Sequence, residues 1–229
     1  MWIRLACILL LICGFPGYGR AAGPDDSLLP YSVGVNGGAG IYLGKGLVLS
    51  VAHVVGGGIV NKPKVSIAGQ NRTATVIKES PFEQLDLALL EINEEGLPVS
   101  LRLRRIPLCQ GQPWPGEEVV SLSAQGPVRS RVLSPKGLSA AVKKFSTVIR
   151  DVATTGNSGS GLFDAQRKCL LGIMSRKISQ VRVQKGSGTK TTEDVAKYFV
   201  PAAIIAEFMP ARLQLMPESN PPIQFSNNR

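Results

Sequence analysis

The run Thr155-Gly156-Asn157-Ser158-Gly159-Ser160-Gly161 sets a serine between glycines in the last third of a 229-residue chain. Glycine on both sides lets the backbone turn sharply and come close to a bound carbonyl group. Such a turn aims the N–H groups of Gly156 and Ser158 at one point, the arrangement that stabilises a developing oxyanion. A serine hydroxyl alone is a weak nucleophile and needs a base within hydrogen-bond reach. Without that base the same run is only a turn.

The chain offers one candidate base, because His53 is its sole histidine. It ends the apolar run Gly46-Leu47-Val48-Leu49-Ser50-Val51-Ala52 and precedes Val54-Val55 and three glycines. An imidazole with an ordinary pKa of ~6.5 can take and return a proton near neutral pH. A lone histidine on an apolar strand is commonly a packed residue; small Ala52 and the glycine loop favour the active reading here. Asp86 lies in Gln84-Leu85-Asp86-Leu87-Ala88-Leu89-Leu90-Glu91-Ile92. A carboxylate between leucines needs a polar partner if it is buried. A histidine N–H supplies one and fixes the tautomer that accepts a serine proton; otherwise Asp86 ends a loop and points to water.

In the order His, Asp, Ser, these segments resemble the chymotrypsin-like (trypsin-like) serine peptidase family of bacterial exported type. Ser50-Val51-Ala52-His53-Val54-Val55 is similar to its histidine motif, Leu85–Leu90 to its aspartate motif, and Gly156–Gly161 to its nucleophile loop. Cys169-Leu170-Leu171-Gly172-Ile173-Met174-Ser175 resembles the substrate-binding strand, and Tyr198-Phe199-Val200-Pro201-Ala202 the closing strand and helix entry. The resemblance implies an all-β fold: two six-stranded antiparallel β-barrels packed face to face, with a short C-terminal helix. It implies a catalytic triad of His53, Asp86 and Ser158 in the cleft, and an oxyanion hole from Gly156 and Ser158. It also implies a substrate pocket at Val152, Ala153, Met174 and Ser175. Neither Val152 nor Ala153 carries a charge, so the expected preference is for small or apolar side chains, with Asp151 the nearest carboxylate. The chain departs from the family where Ser160-Gly161 stands for the common Gly-Pro. It departs again where Asn157 replaces the aspartate of digestive members, so activation through a freed N-terminal amine is not expected.

Outward from these motifs, short strand-like runs occupy residues 40–43, 46–50, 64–67, 73–78 and 87–92. A second set covers 118–123, 128–133, 146–152, 161–163, 170–175 and 198–200. Glycine, asparagine and proline clusters punctuate them. Pro107, Pro113 and Pro115 mark a connector at 106–116, between a leader and N-terminal barrel at 22–105 and a C-terminal barrel and closing helix at 117–209. Pro201 and Pro210 bracket that helix. Residues 185–192 read as a polar surface loop and 210–229 as a flexible tail.

The 25 Gly, 16 Pro and 44% hydrophobic content exclude a disordered chain and suit short strands joined by turns. Arg4 followed by the apolar run Leu5–Cys13 reads as a signal peptide at 1–21, too short for a comfortable bilayer span of ~20 residues. An uncleaved anchor is the other reading. Removal of Arg4 and Arg20 lowers the formal charge from +10 to +8. The basic residues, Arg176 and Lys177 among them, are scattered without interleaved aromatics, and read as solvated faces rather than a nucleic-acid platform. Cys109 and Cys169 would remain after cleavage, as a disulfide or as two buried free thiols; a bond is expected in an exported chain. The resulting expectations are a serine endopeptidase in the periplasm or outside the cell, acting on polypeptides, without stable membrane insertion or nucleic acid. One histidine and two mature cysteines make a metal site unexpected, and no cofactor is expected. The rival readings are a catalytically silent binding module and a serine esterase.

Overall fold

The computed structural model describes residues 23–56, 62–123, 126–134, 136, 138, 147–150, 158–184 and 188–213. The expected signal segment, Gly156 of the oxyanion hole, and Val152 and Ala153 of the pocket lie outside those residues.

The first half closes into a barrel from β1 (Ser32–Val35), β2 (Gly38–Gly44), β3 (Leu47–Ser50), β4 (Lys64–Ile67), β5 (Gln70–Ser80) and β6 (Leu87–Ile92). Their order around the ring is β1-β2-β3-β6-β5-β4, and each pairing is antiparallel. Side chains alternate across a strand with a period of two. On β2, Tyr42 points into the barrel's own core, whereas Ile41 and Leu43 face a second, shared core. On β6, Ala88 and Leu90 point inward, and Leu87 and Leu89 face the shared core. The leucine-rich β6 is therefore buried on both faces, which is why it reads as an unbroken apolar run.

The second half contains β7 (Glu118–Ser123), β8 (Gly126–Arg131), β9 (Val148–Arg150), β10 (Gly161–Asp164), β11 (Leu170–Val183) and β12 (Lys190–Pro201). They form a six-stranded sheet in the order β8-β7-β10-β11-β12-β9. Its edges meet at the isolated Val132–Ile149 bridge and at the Leu133 N–H, which donates to Val148 O at 2.8 Å. The expected second six-stranded unit is thus present as a curled sheet rather than a continuous ring. Among the described residues, β8 and β9 share no ladder beyond that bridge. Leu122, Leu162, Phe163, Ile173 and Phe199 meet Ile41, Leu49, Leu87 and Leu89 in the shared core, so both candidate motifs of the first half abut the second.

Ties outside the sheets fix this arrangement. The Cys109–Cys169 disulfide joins the connector to the start of β11 across a Cα–Cα distance of 5.0 Å. Beside it, Cys109 N–H donates to Leu170 O and Leu170 N–H to Pro107 O. Lys78 Nζ of β5 donates to Phe208 O at 2.7 Å, at the end of the closing helix Ala202–Phe208. The leader is anchored by Asp25, which accepts from Arg129 Nε at 2.8 Å and also pairs with Lys168. Burial would raise the Asp25 carboxyl, but the bonds from Arg129 and Lys168 outweigh it and hold the group below the usual carboxylate range.

Candidate active site

Four polar side chains that meet at the seam between the halves, those of His53, Asp86, Ser158 and Ser175, come from four separate segments. His53 lies in the short helix Ala52–Val55, directly after β3; Gly56 ends that helix in a left-handed conformation, its N–H donating to Ala52 O. Asp86 precedes β6, its own N–H donating to Pro81 O at 3.0 Å. Its φ of 54° is left-handed, an uncommon state for a non-glycine residue that costs about 1–3 kcal/mol. That backbone places a fully buried carboxylate beneath His53.

Asp86 is densely bonded. His53 Nδ1 lies 3.0 Å from Oδ1 and 2.9 Å from Oδ2, and the His53 backbone N–H donates to Oδ1 at 3.2 Å. Ser175 Oγ donates to Oδ2 at 2.6 Å. A carboxylate only accepts, so the proton shared with Asp86 sits on Nδ1, and the His53 side chain is partly exposed. Ser175 reaches Asp86 because β11 is irregular between Met174 and Arg176, where its register with β12 shifts. A bulge re-aims the side chain it contains.

Ser158 precedes β10. Its carbonyl accepts from Ala39 N–H at 3.0 Å, Gly159 N–H donates to Met174 O, and Met174 N–H donates to Ser160 O, both at 2.8 Å. Gly159 has φ 89°, and a Cβ there would lie 1.9 Å from Ala39 O, so only glycine permits this approach. A Cβ on Gly38 would meet both Val54 and Ser158 O, at 2.7 and 3.3 Å; the helix carrying His53 and the Ser158 turn converge there. Ser158 Oγ donates to Ser175 O at 3.3 Å. Among the described residues no hydrogen bond joins Ser158 Oγ to His53.

Of the residues expected to line a pocket, Met174 and Ser175 are both buried, and the Ser175 hydroxyl is engaged with Asp86. The sequence reading missed that supporting role, although Ser175 belongs to the quoted strand motif. It also missed Phe82, whose ring stands edge-on to His53 with centroids 5.5 Å apart; nothing in its sequence context marks it. Tyr198 lies near enough to feel Asp86: burial raises its phenol above the ordinary value, Arg176 lowers it, and Asp86 raises it.

The sequence matches the trypsin-like peptidase domain family over residues 38–173. No curated protein matches it. Among solved structures it is similar to a protease from M. tuberculosis in its active form, with a TM-score of 0.57 at 18% identity, covering 85% of this chain and 86% of that one. It is also similar to the MamO protease domain from Magnetospirillum magneticum: TM-score 0.53, 20% identity, 80% and 97% covered. A serine endoprotease from Yersinia pestis gives 0.52 at 19% identity, covering 82% of this chain and 65% of that one. At these identities the structural likeness shows the fold.

Proposed function

This chain belongs to the trypsin-like peptidase domain family, and from that premise we propose that it is a serine endopeptidase working through a His53–Asp86–Ser158 triad. The observation that carries the reading is the buried Asp86 carboxylate, bonded to His53 Nδ1 at 2.9 Å and steadied by Ser175. No structural requirement of a packed core calls for a carboxylate there; orienting an imidazole does.

In this mechanism Ser158 Oγ attacks the scissile carbonyl carbon while His53 Nε2 takes its proton. Asp86 holds the ring and stabilises the imidazolium that forms. The N–H groups of Gly156 and Ser158 receive the oxyanion. His53 then returns the proton to the leaving amine, and water repeats the sequence on the acyl-enzyme. The Ser158 hydroxyl rests on Ser175 O and must turn to His53 Nε2 for the attack, in keeping with catalytic hydrogen bonds that tighten only when substrate binds. A primary pocket at Val152 and Ala153 would take small or apolar side chains. The buried disulfide fits an oxidising compartment outside the cytoplasm, and among the described residues no helix is long and apolar enough to cross a membrane.

The test is digestion of an unstructured protein by residues 22–229, with the peptides identified by mass spectrometry. Internal cuts that follow small or apolar residues are expected. Release of terminal residues only would overturn the endopeptidase reading, and ester hydrolysis without peptide cleavage would favour an esterase.

A further inference from the structure

The β1–β2 hairpin turns through Asn36 and Gly37, whose φ values of 45° and 90° are both left-handed, and Val35 pairs with Gly38 across it. A two-residue hairpin turn with positive φ at both positions is supplied by Asn-Gly, Asp-Gly or Gly-Gly alike. The turn alone therefore does not require an asparagine side chain. Asn36 nevertheless uses both ends of its amide. Its Oδ1 accepts from Lys64 N–H at 2.8 Å, and its backbone N–H donates to Lys64 O at 3.1 Å, so the residue is fixed to β4. Its Nδ2 donates to Val55 O at 3.0 Å, with Val54 O at 3.5 Å. An acceptor facing an N–H and a donor facing carbonyls set the orientation of the amide.

Those carbonyls belong to the last residues of the short helix Ala52–Val55, which carries His53. A helix leaves its final C=O groups without partners of its own, and a single turn is too short to be stable alone. Its position is therefore set from outside. Asp86 accepts the His53 backbone N–H, and Asn36 caps Val55. The same hairpin also reaches the nucleophile. Ala39 N–H donates to Ser158 O at 3.0 Å, and Gly38 lies so close to Val54 and Ser158 O that a Cβ would meet both. The run Asn36–Ala39 thus touches the helix of His53 and the turn of Ser158 together.

Resting on the proposed peptidase activity, we infer that Asn36 is a positioning residue for that reaction: its amide bridges β4 and the helix of His53, and so sets where the imidazole stands relative to Ser158. The division of labour is clear from the bonds. Asp86 orients the ring of His53, whereas Asn36 holds the backbone from which that ring projects. Misplacing a reacting group by about 1 Å can cost as much as a hundredfold in rate. The effect falls on turnover rather than on substrate affinity, because the bonds of the Asn36 amide go to the protein's own backbone.

The experiment uses two variants of chain 22–229 that keep the turn. Asn36→Gly deletes the amide, and Asn36→Asp keeps the bond from Lys64 N–H but sets an acceptor against the Val55 carbonyl. Steady-state kinetics on either should show kcat lowered about tenfold or more, with KM within about twofold of the parent chain. Asp25→Asn loosens the leader, whose carboxylate binds Arg129 and Lys168, and controls for a loss of stability alone; its kcat should equal that of the parent. Parental kcat in either folded Asn36 variant, a change confined to KM, or an equal fall in Asp25→Asn overturns the inference. A parent chain that cleaves no peptide refutes the peptidase reading instead, and the positioning role is then read without turnover. His53 is the sole histidine, so nitrogen-15 NMR resolves one imidazole. Its Nδ1 proton, bonded to Asp86, should exchange with water about fivefold faster in the Asn36 variants, the scale of one lost hydrogen bond, and at the parental rate in Asp25→Asn. Unchanged exchange in the Asn36 variants contradicts the inference.

Discussion

Asp86 accepts hydrogen bonds from His53 and Ser175 while its backbone sits in a left-handed conformation. Strain of that kind persists only where the surroundings over-determine it. Asp86→Asn keeps the shape but not the acceptor-only chemistry, and stabilises the wrong histidine tautomer. A fall in kcat of roughly ten-thousand-fold is expected, with the fold retained. Ser175→Ala removes one bond to a buried charge, about 2 kcal/mol or roughly thirtyfold in kcat/KM. Steady-state kinetics on folded variants measures both, and near-normal turnover by either contradicts its role. His53 and Asp86 were legible in the sequence because each is chemically out of place: a single imidazole ending an apolar strand, and a carboxylate between leucines. Ser175 and Phe82 were not, since a serine on an apolar strand and a phenylalanine after proline are ordinary. Their importance arises from a register shift and from a contact between the two halves, which no local pattern announces.

At the level of elements, β4, β6 and β7 occupy the residues that the sequence assigned to them. Each has one or both faces buried, so periodicity marks its extent. The strand β1 was missed because Ser32-Val33-Gly34-Val35 is short and contains a glycine. The hairpin of β11 and β12 was cut short for a different reason. Its outer part pairs from Ser179 with Asp194 to Val183 with Lys190, and there Val181 and Val183 are exposed and the facing strand is polar, so the two-valine alternation is too short to signal a strand. The expected surface loop 185–192 therefore ends in strand from Lys190 onward.

The disulfide belongs to this scale, because it joins the connector to β11. A separation of 60 residues corresponds to about 4 kcal/mol in the chain-entropy treatment. Cys169→Ser should lower the unfolding free energy by about that amount, measured by denaturant titration. Two thiols alkylated in the unreduced, unfolded chain 22–229 would show that the bond does not form. The leader's anchor gives a pH-dependent expectation. The folded Asp25 carboxyl lies below its unfolded value of ~3.9, so its stabilisation is present above about pH 4 and lost as pH falls through the folded value. Asp25→Asn should thus cost about 1 kcal/mol at neutral pH, since Arg129 is half exposed, and less as pH approaches 3. A wild-type-to-variant difference in melting temperature that stays constant from pH 7 to 3 would contradict this.

Across the whole molecule, the two halves meet in one shared core, and the hydrogen bonds of the site cross the same seam. The leader packs against this body through the Asp25 carboxylate, and the neutral amide of Asn157 cannot form an ion pair with a freed terminal amine. Chains beginning at Ala22, with and without extra preceding residues, should turn over a peptide substrate at comparable rates. Silence until the extension is cut away would show that processing assembles the site. The central claim, that His53 and Asp86 activate Ser158 as a nucleophile, is tested most directly by a fluorophosphonate probe, which labels only an activated serine. Mass spectrometry of the digested adduct should place one probe molecule on Ser158, with labelling absent in Ser158→Ala and strongly slowed in His53→Ala. An unlabelled wild-type protein, or equal labelling of folded Ser158→Ala, would contradict it.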